Sequence, residues 1–306
     1  MTPDVIIVGA GPAGVSAALW ARSLHLVPRV FEAGGTAGGQ LQLIHFHPLD
    51  LAGVTAGEGP AIAEQLTRQL RESRIDVAFG ATAAALEGGG EVNPPRVIGA
   101  DGSVHECGAV LVATGVRRRR LEVPGESEFE GRGVSYSATR DRAMFANRDV
   151  VVVGGGDGAF ENALLLSDVG CHVTLVVRGM PRARLEFLER VSQDSGIEVL
   201  GAARVAAIRG RDWVSSVRIE SGDQRMDRKA DGVIIKIGVI PNTEWCAGAL
   251  ELDGDGYVRV DGGQRTSRPR VWAAGDVTRP VVPSLAAAIG QGALAMGAIR
   301  AVLRPA

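Results

Sequence analysis

Cysteine is scarce in this chain of 306 residues: Cys107, Cys171 and Cys246 stand far apart and form no closely spaced pair. That spacing excludes a disulfide scaffold and a zinc ribbon. Five histidines add no metal-ligand pattern beyond His45-x-His47, which reads as one face of a strand, so no metal is expected. Charge of one sign is lacking too. The 33 Lys+Arg face 35 Asp+Glu, a net of −2, which gives no overall field to hold nucleic acid or an anionic membrane. No apolar run approaches the ~20 residues of a membrane span. Met1 leads into the strand-like Asp4-Val5-Ile6-Ile7-Val8 without a basic leader, so a soluble cytoplasmic protein is the expectation.

Aromatic residues are only 4% of the chain, whereas glycine reaches 42 residues, about twice ordinary usage. Its two sharpest clusters look alike. Asp4 to Val8 leads into Gly9-Ala10-Gly11-Pro12-Ala13-Gly14 and an alanine-rich helical stretch. Asp149 to Val153 leads into Gly154-Gly155-Gly156-Asp157-Gly158-Ala159 and a leucine-rich stretch, 145 residues further on. Each reads as a buried parallel strand, a glycine turn and a helix, followed by a second strand: Val27 to Phe31, then His172 to Val177. Two βαβ patterns in one chain predict an α/β fold with two Rossmann-like dinucleotide-binding domains. The piece after Trp245 is too short for a third, so it returns to the first domain and the second is inserted into it. Expected spans are 1–116 and 245–306 for the first domain and 117–244 for the second. Arg117-Arg118-Arg119-Arg120 reads as a solvated hinge surface.

The chemistry of the turns follows from their spacing. In Gly9-x-Gly11-x-x-Gly14 the first glycine permits the turn and the second lets a pyrophosphate approach the backbone. The third lets helix and strand pack closely, and the free N–H groups of the helix start face the anion. Pro12 fits the first helical turn. Glu32 ends the second strand 18 residues after Gly14, where an acid hydrogen-bonds an adenosine ribose. The second motif ends in Ala159, an accepted variant. Its following strand ends without an acid and runs into Arg178, Arg182 and Arg184, which suit a 2′-phosphate and favour NADPH over NADH.

These motifs, together with Gly38-Gly39-Gln40-Leu41, Ala113-Thr114-Gly115, Gly131 to Tyr136, Gly238-x-x-Pro241-Asn242-Thr243 and Gly275-Asp276-Val277, resemble the low-molecular-weight thioredoxin reductases in order and spacing over essentially the whole chain. The resemblance implies FAD in the first domain, NADPH in the inserted one, rotation of the inserted domain and a homodimer. Gly9, Gly11, Pro12, Ala13, Gly14 and Glu32 would then hold the ADP half of FAD. Gly39, Gln40, Asp50, Thr114, Gly115, Asp276, Ser284 and Leu285 would hold its flavin half. Gly154, Gly156, Asp157, Gly158, Ala159, Arg178 and Arg182 would hold NADPH, with Glu161 near the nicotinamide. Ser284 is the expected N-cap of the last helix.

The departures decide the function. Where those reductases carry Cys-x-x-Cys, this chain reads Ser137-Ala138-Thr139-Arg140-Asp141, and neither serine nor arginine forms a disulfide. Asp141 matches the family's acid beside the dithiol. Bacillithiol disulfide reductase-like flavoproteins place a cysteine where this chain has Ala13. The ferredoxin-NADP reductases of thioredoxin-reductase type have no dithiol. Asp50-Leu51-Ala52-Gly53 resembles their turn, and His45 falls where they set a tyrosine against the flavin. Three functions stay open at this stage. One is an FAD-dependent NADPH oxidoreductase passing electrons to a ferredoxin, a flavodoxin or a small molecule, with Arg140, Asp141 and His45 near the chemistry. The others are a sensor that has lost turnover and a disulfide reductase using a remote cysteine.

Overall fold

The first apolar run, Val5–Val8, is a fully buried strand (β1) in a computed structural model that describes residues 2–48, 51–52, 57–90 and 93–305. Pro12–Ser23 (α1) and Pro28–Glu32 (β2) complete the first βαβ unit, and Gly59–Glu72 (α2) leads to Asp76–Phe79 (β3). Three short antiparallel strands follow, Ala83–Glu87 (β4), Arg96–Gly99 (β5) and Val104–Glu106 (β6). Ala109–Val112 (β7) then re-enters the main sheet before Val116–Arg118 (β8). The chain divides into two units, Met1–Arg117 with Ile240–Ala306, and Arg118–Val239.

The second unit opens with Val134–Ser135 (β9) and the short helix Ala138–Asp141 (α3). Its second βαβ unit is Asp149–Val153 (β10), Asp157–Ser167 (α4) and His172–Val177 (β11), with Leu185–Gln193 (α5) crossing to Ile197–Gly201 (β12). An antiparallel meander comes next, Ala203–Gly210 (β13), Val214–Ser221 (β14) and Gln224–Lys229 (β15). Gly232–Ile235 (β16) returns to the sheet, and Val239–Pro241 (β17) pairs with β8 as the chain leaves the unit. The first unit then gains Val271–Ala273 (β18) and Leu285–Leu303 (α6).

Both main sheets are parallel and read alike. Orders are β18-β7-β1-β2-β3 and β12-β11-β10-β16-β9, so in each the first strand of the βαβ unit sits in the middle. Each also inserts three antiparallel strands just before the strand that pairs with the other side of that middle strand, β7 in the first and β16 in the second. The duplication therefore extends to four strands of each sheet, while the fifth differs: β18 follows β7 in the chain and β9 precedes β10. Strand order reverses beside β1 and beside β10, and the crevice at the carboxyl ends of the strands there is where such sheets take ligands.

Both faces of the central strands are covered, which is why they read as unbroken Val/Ile runs. Ile7 and Leu111 point into a core shared with α1 and α6, while Ile6 and Val110 point into a second core with Val271 and Cys246. α6 has 19 residues and, against the expectation of no such run, is apolar and long enough to cross a bilayer. Its Ala288, Gly292, Ala295, Met296 and Ile299 are buried. A methyl on Gly292 would lie 3.0 Å from the carbonyl carbon of Ala13 and 3.2 Å from the nitrogen of Ala17, so the small residue permits the α1–α6 approach.

Candidate functional site

The glycine turn of the first unit separates its three positions by space. A Cβ built on Gly9, whose φ is +108°, meets the carbonyl carbon of Ala113 at 2.8 Å. One built on Gly14 meets the carbonyl carbon of Gly9 at 3.0 Å and Ile7 Cγ2 at 3.3 Å, so α1 lies directly on the turn. One built on Gly11 meets nothing within 4 Å. Tight, open, tight is the pattern a pyrophosphate cradle requires. The Glu32 carboxylate clamps the turn: it accepts from Ala10 N at 2.7 Å and from Gly34 N at 2.7 Å. Each oxygen keeps a lone pair for a ribose hydroxyl.

Around this turn the chain brings together residues far apart in sequence. Gln40 donates through Nε2 to Val116 O at 2.6 Å. Thr114 Oγ1 donates to Asn242 O at 2.7 Å, and Asn242 Nδ2 returns a bond to Thr114 O at 2.8 Å. Gly275 N donates to Gln291 Oε1 at 2.8 Å, while Ser284 Oγ caps α6 by accepting from Ala287 N at 3.2 Å, with Leu285 opening the helix. The Asp276 carboxylate is half-buried and has no hydrogen-bond or ion-pair partner among the described residues. Burial alone pushes its pKa up.

In the second unit the same spacing recurs. A Cβ on Gly154 meets the Lys236 carbonyl carbon at 2.8 Å and Ala159 Cβ at 3.0 Å, whereas Gly156 is open. Among the described residues no acid clamps this turn; Arg182 N donates to Gly155 O at 2.6 Å instead. Asp157 accepts from Arg184 N at 2.7 Å and Arg184 Nε at 2.8 Å, and Arg184 also pairs with Glu186 at 3.0 Å. Arg178 and Arg182 remain exposed beside it.

The profile of the pyridine nucleotide-disulphide oxidoreductases matches residues 3–292. The chain belongs to this family. It is 37% identical over 300 residues to the thioredoxin reductase of Mycolicibacterium smegmatis, covering 95% of this chain and 94% of that one. It is 38% identical over 298 residues to the thioredoxin reductase of Treponema pallidum, covering 95% and 94%. The crystal structure of Lactococcus lactis thioredoxin reductase superposes with a TM-score of 0.82 at 28% identity, covering 99% of each chain. It is thus an FAD- and NAD(P)-dependent oxidoreductase of the thioredoxin reductase type.

The oxidoreductases of this type use FAD and NADPH, and the residues present fit both. Gly11 and Gly156 leave room for two pyrophosphates, and the unpartnered Asp276 is an acceptor of the kind a ribityl hydroxyl needs. Among the described residues no cluster of three His, Cys, Asp or Glu is placed to hold a metal.

Where such enzymes of the resemblance carry their dithiol, this oxidoreductase builds an ion pair. Arg140 Nε and Nη2 donate to the two oxygens of Asp141, each at 2.6 Å, and Ser135 Oγ donates to Asp141 Oδ2 at 2.5 Å. The charge of Arg140 is thereby largely offset within the unit. Ser137 Oγ caps α3 by accepting from Arg140 N. Buried Asn162 joins this segment to the nucleotide helix, accepting from Ala138 N at 2.7 Å and donating to Gly158 O at 2.7 Å. Nothing in the sequence motifs singled out Asn162, because its two partners lie on different elements. The three cysteines are buried. Burial pushes the thiols of Cys107 and Cys246 to about 12 and raises that of Cys171.

Two expectations need correction. His45 and His47 do not share a strand face: they lie in irregular chain after the turn Gly39–Leu43, where His47 Nδ1 sits 3.0 Å from Gly57 O. The arginine run is not merely a solvated hinge. Arg117 pairs with Glu244 at 2.5 Å, Arg118 and Arg120 lie over the Tyr136 ring at 5.8 and 5.6 Å, and Arg120 pairs with Glu130 at 2.9 Å. Asp50 lies outside the described residues.

Proposed function

We propose that this oxidoreductase takes reducing equivalents from NADPH and delivers them from FAD straight to an external acceptor, a ferredoxin, a flavodoxin or a small molecule, with no resident dithiol between. When bound, the cofactors supply the chemistry: hydride passes from nicotinamide to flavin, and electrons leave from the flavin. The protein's own residues position them. Gly9, Gly11, Pro12, Ala13, Gly14 and Glu32 cradle the ADP half of FAD, and Gly39, Gln40, Thr114, Gly115, Asp276, Ser284 and Leu285 its flavin half. Gly154, Gly156, Asp157, Gly158, Ala159, Glu161, Arg178 and Arg182 hold the nucleotide. The observation that carries the proposal is the Arg140–Asp141 pair in the dithiol segment, with every cysteine of the chain buried and its thiol pKa raised. A thiolate is the reactive form, and these thiols stay protonated. That argues against a disulfide reductase using a remote cysteine. A homodimer and a cytoplasmic location complete the proposal.

The test is spectral. Anaerobic NADPH should bleach the bound flavin within the time of mixing, and a ferredoxin, flavodoxin or quinone should restore its colour while thioredoxin and small disulfides do not. Rapid thioredoxin reduction would overturn the proposal. One observation favours a second reading, a sensor without turnover: Arg184 is consumed by Asp157 and Glu186, which thins the phosphate-binding arginines. A flavin that stays oxidised with both NADPH and NADH would select it.

A further inference from the structure

Strand alternation sends Ile234 of β16 into the core beneath α4, and Val233 and Ile235 to the opposite core. Lys236, next in that alternation, therefore emerges on the α4 side at the carboxyl end of β16, in the crevice where strand order reverses. Its backbone is fixed there by the bond from Lys236 N to Val153 O at 2.8 Å. Its side chain runs along the first turn of α4: Lys236 Cδ is 3.9 Å from a Cβ built on Gly158. The ammonium makes no hydrogen bond or salt bridge among the described residues. Glu161 attracts it and Arg118 repels it, and burial lowers its pKa. The half-buried lysine thus lies beside the positive end of α4, on the turn whose Gly156 leaves open space for an anion.

We propose that Lys236 is a positioning residue for the pyrophosphate of the pyridine nucleotide, doing by side-chain charge what the turn does by backbone N–H groups. The proposal rests on the assignment of the second unit to NAD(P)H. It differs from the arginine loop in what it reads. Arg178 and Arg182 stand at the 2′-phosphate end, which only NADPH carries, whereas the pyrophosphate is common to NADPH and NADH. Lys236 should therefore strengthen both nucleotides by the same factor and contribute nothing to choosing between them.

The experiment is calorimetric titration of the oxidised, flavin-loaded protein with NADP⁺, NAD⁺ and adenosine 2′-monophosphate. Lys236→Met should weaken NADP⁺ and NAD⁺ equally, by roughly 10- to 100-fold, the loss expected for one charge-assisted hydrogen bond. Adenosine 2′-monophosphate should bind Lys236→Met as it binds wild type. Lys236→Arg should recover most of the loss, which a packing defect would not allow. Unchanged affinity for both dinucleotides in Lys236→Met overturns the role of Lys236 while leaving the nucleotide site intact. A loss confined to NADP⁺ overturns it by placing the lysine at the 2′-phosphate. Wild-type protein that binds neither dinucleotide overturns the site itself, and the role of Lys236 with it.

Discussion

Gly11 and Gly14 stand in one turn, and alanine at each perturbs different things. At Gly11 the backbone is extended, φ −70° and ψ 179°, so alanine adopts it without strain, and no protein atom lies within 4 Å of the added methyl. Reduced freedom of the unfolded chain favours Gly11→Ala by about 0.4–1 kcal/mol. Loss of the preferred helix cap opposes it by roughly the same amount. The flavin-free variant should melt within a few degrees of wild type. In the loaded protein the methyl enters the space of the pyrophosphate, and overpacking of about 1–3 kcal/mol makes the FAD complex about 5- to 150-fold weaker. At Gly14 the methyl meets backbone and Ile7, 3.0 Å from the Gly9 carbonyl carbon and closer to its oxygen. Neither retreats unless α1 lifts from β1, so Gly14→Ala should lose about 3 kcal/mol or more even without flavin. Calorimetry of flavin-stripped protein, paired with FAD fluorescence titration, reads the two effects separately. Wild-type FAD affinity in Gly11→Ala would refute the cradle. A wild-type melting temperature in Gly14→Ala would refute the packing argument.

Four further outcomes are expected. Because burial raises the pKa of Asp276, the native state binds that proton more tightly than the unfolded chain, and stability falls as pH rises through the native value. Asp276→Asn should therefore raise the melting temperature of flavin-free protein at neutral pH, by a margin that shrinks toward pH 3.8, and should weaken flavin retention. An aromatic disulfide reagent near neutral pH should find none of the three thiols in the folded protein and all three after denaturation. Glu126 is 2% exposed and accepts from Leu121 N, Glu122 N and Tyr136 Oη; Glu126→Ala strands these donors and should destabilise the chain by about 3 kcal/mol in denaturant titration. Arg140→Ala breaks a partly exposed pair, so melting should move by no more than about 1 kcal/mol; acceptor turnover should change while flavin content does not, and unchanged rates with every acceptor would count against Arg140.

The glycine turns were legible because their signal is local: a strand, three glycines and a helix start are contiguous, and each glycine answers to atoms of its own turn or the adjoining strand. The unbroken apolar runs in Val5–Val8 and Asp149–Val153 likewise report burial on both faces without knowledge of the neighbours. What escaped reading depends on partners distant in sequence. Gln40 spends its amide on Val116, Thr114 meets Asn242, and Asp157 is claimed by Arg184. No motif spacing announces these, because the fold alone sets which loops meet. The arginine run was half legible for the same reason: its charge pattern is that of a surface, and Arg117, Arg119 and Arg120 are exposed, but the partners Tyr136, Glu126 and Glu130 arrive from the following loop.

The internal duplication explains how one scaffold serves two nucleotides. Ala10 and Gly155 are equivalent positions, each following the first glycine of its turn, and each is held by the end of the neighbouring strand or the loop beyond it. In the first unit the hold comes from a side chain, Glu32, whose carboxylate takes Ala10 N and keeps further lone pairs and its negative charge. In the second it comes from backbone, Arg182 N on Gly155 O, which leaves the side chains of that loop turned outward as cations. The same mechanical task is thus done with opposite residual charge. An acid there rejects a 2′-phosphate by repulsion, whereas arginines attract one. Ala159 stands in place of a third glycine, and its Cβ lies 3.0 Å from where a side chain on Gly154 would begin, so it is accommodated only because residue 154 is glycine. The open space over the second glycine recurs at Gly11 and Gly156, so the feature the two turns share is the room for a pyrophosphate.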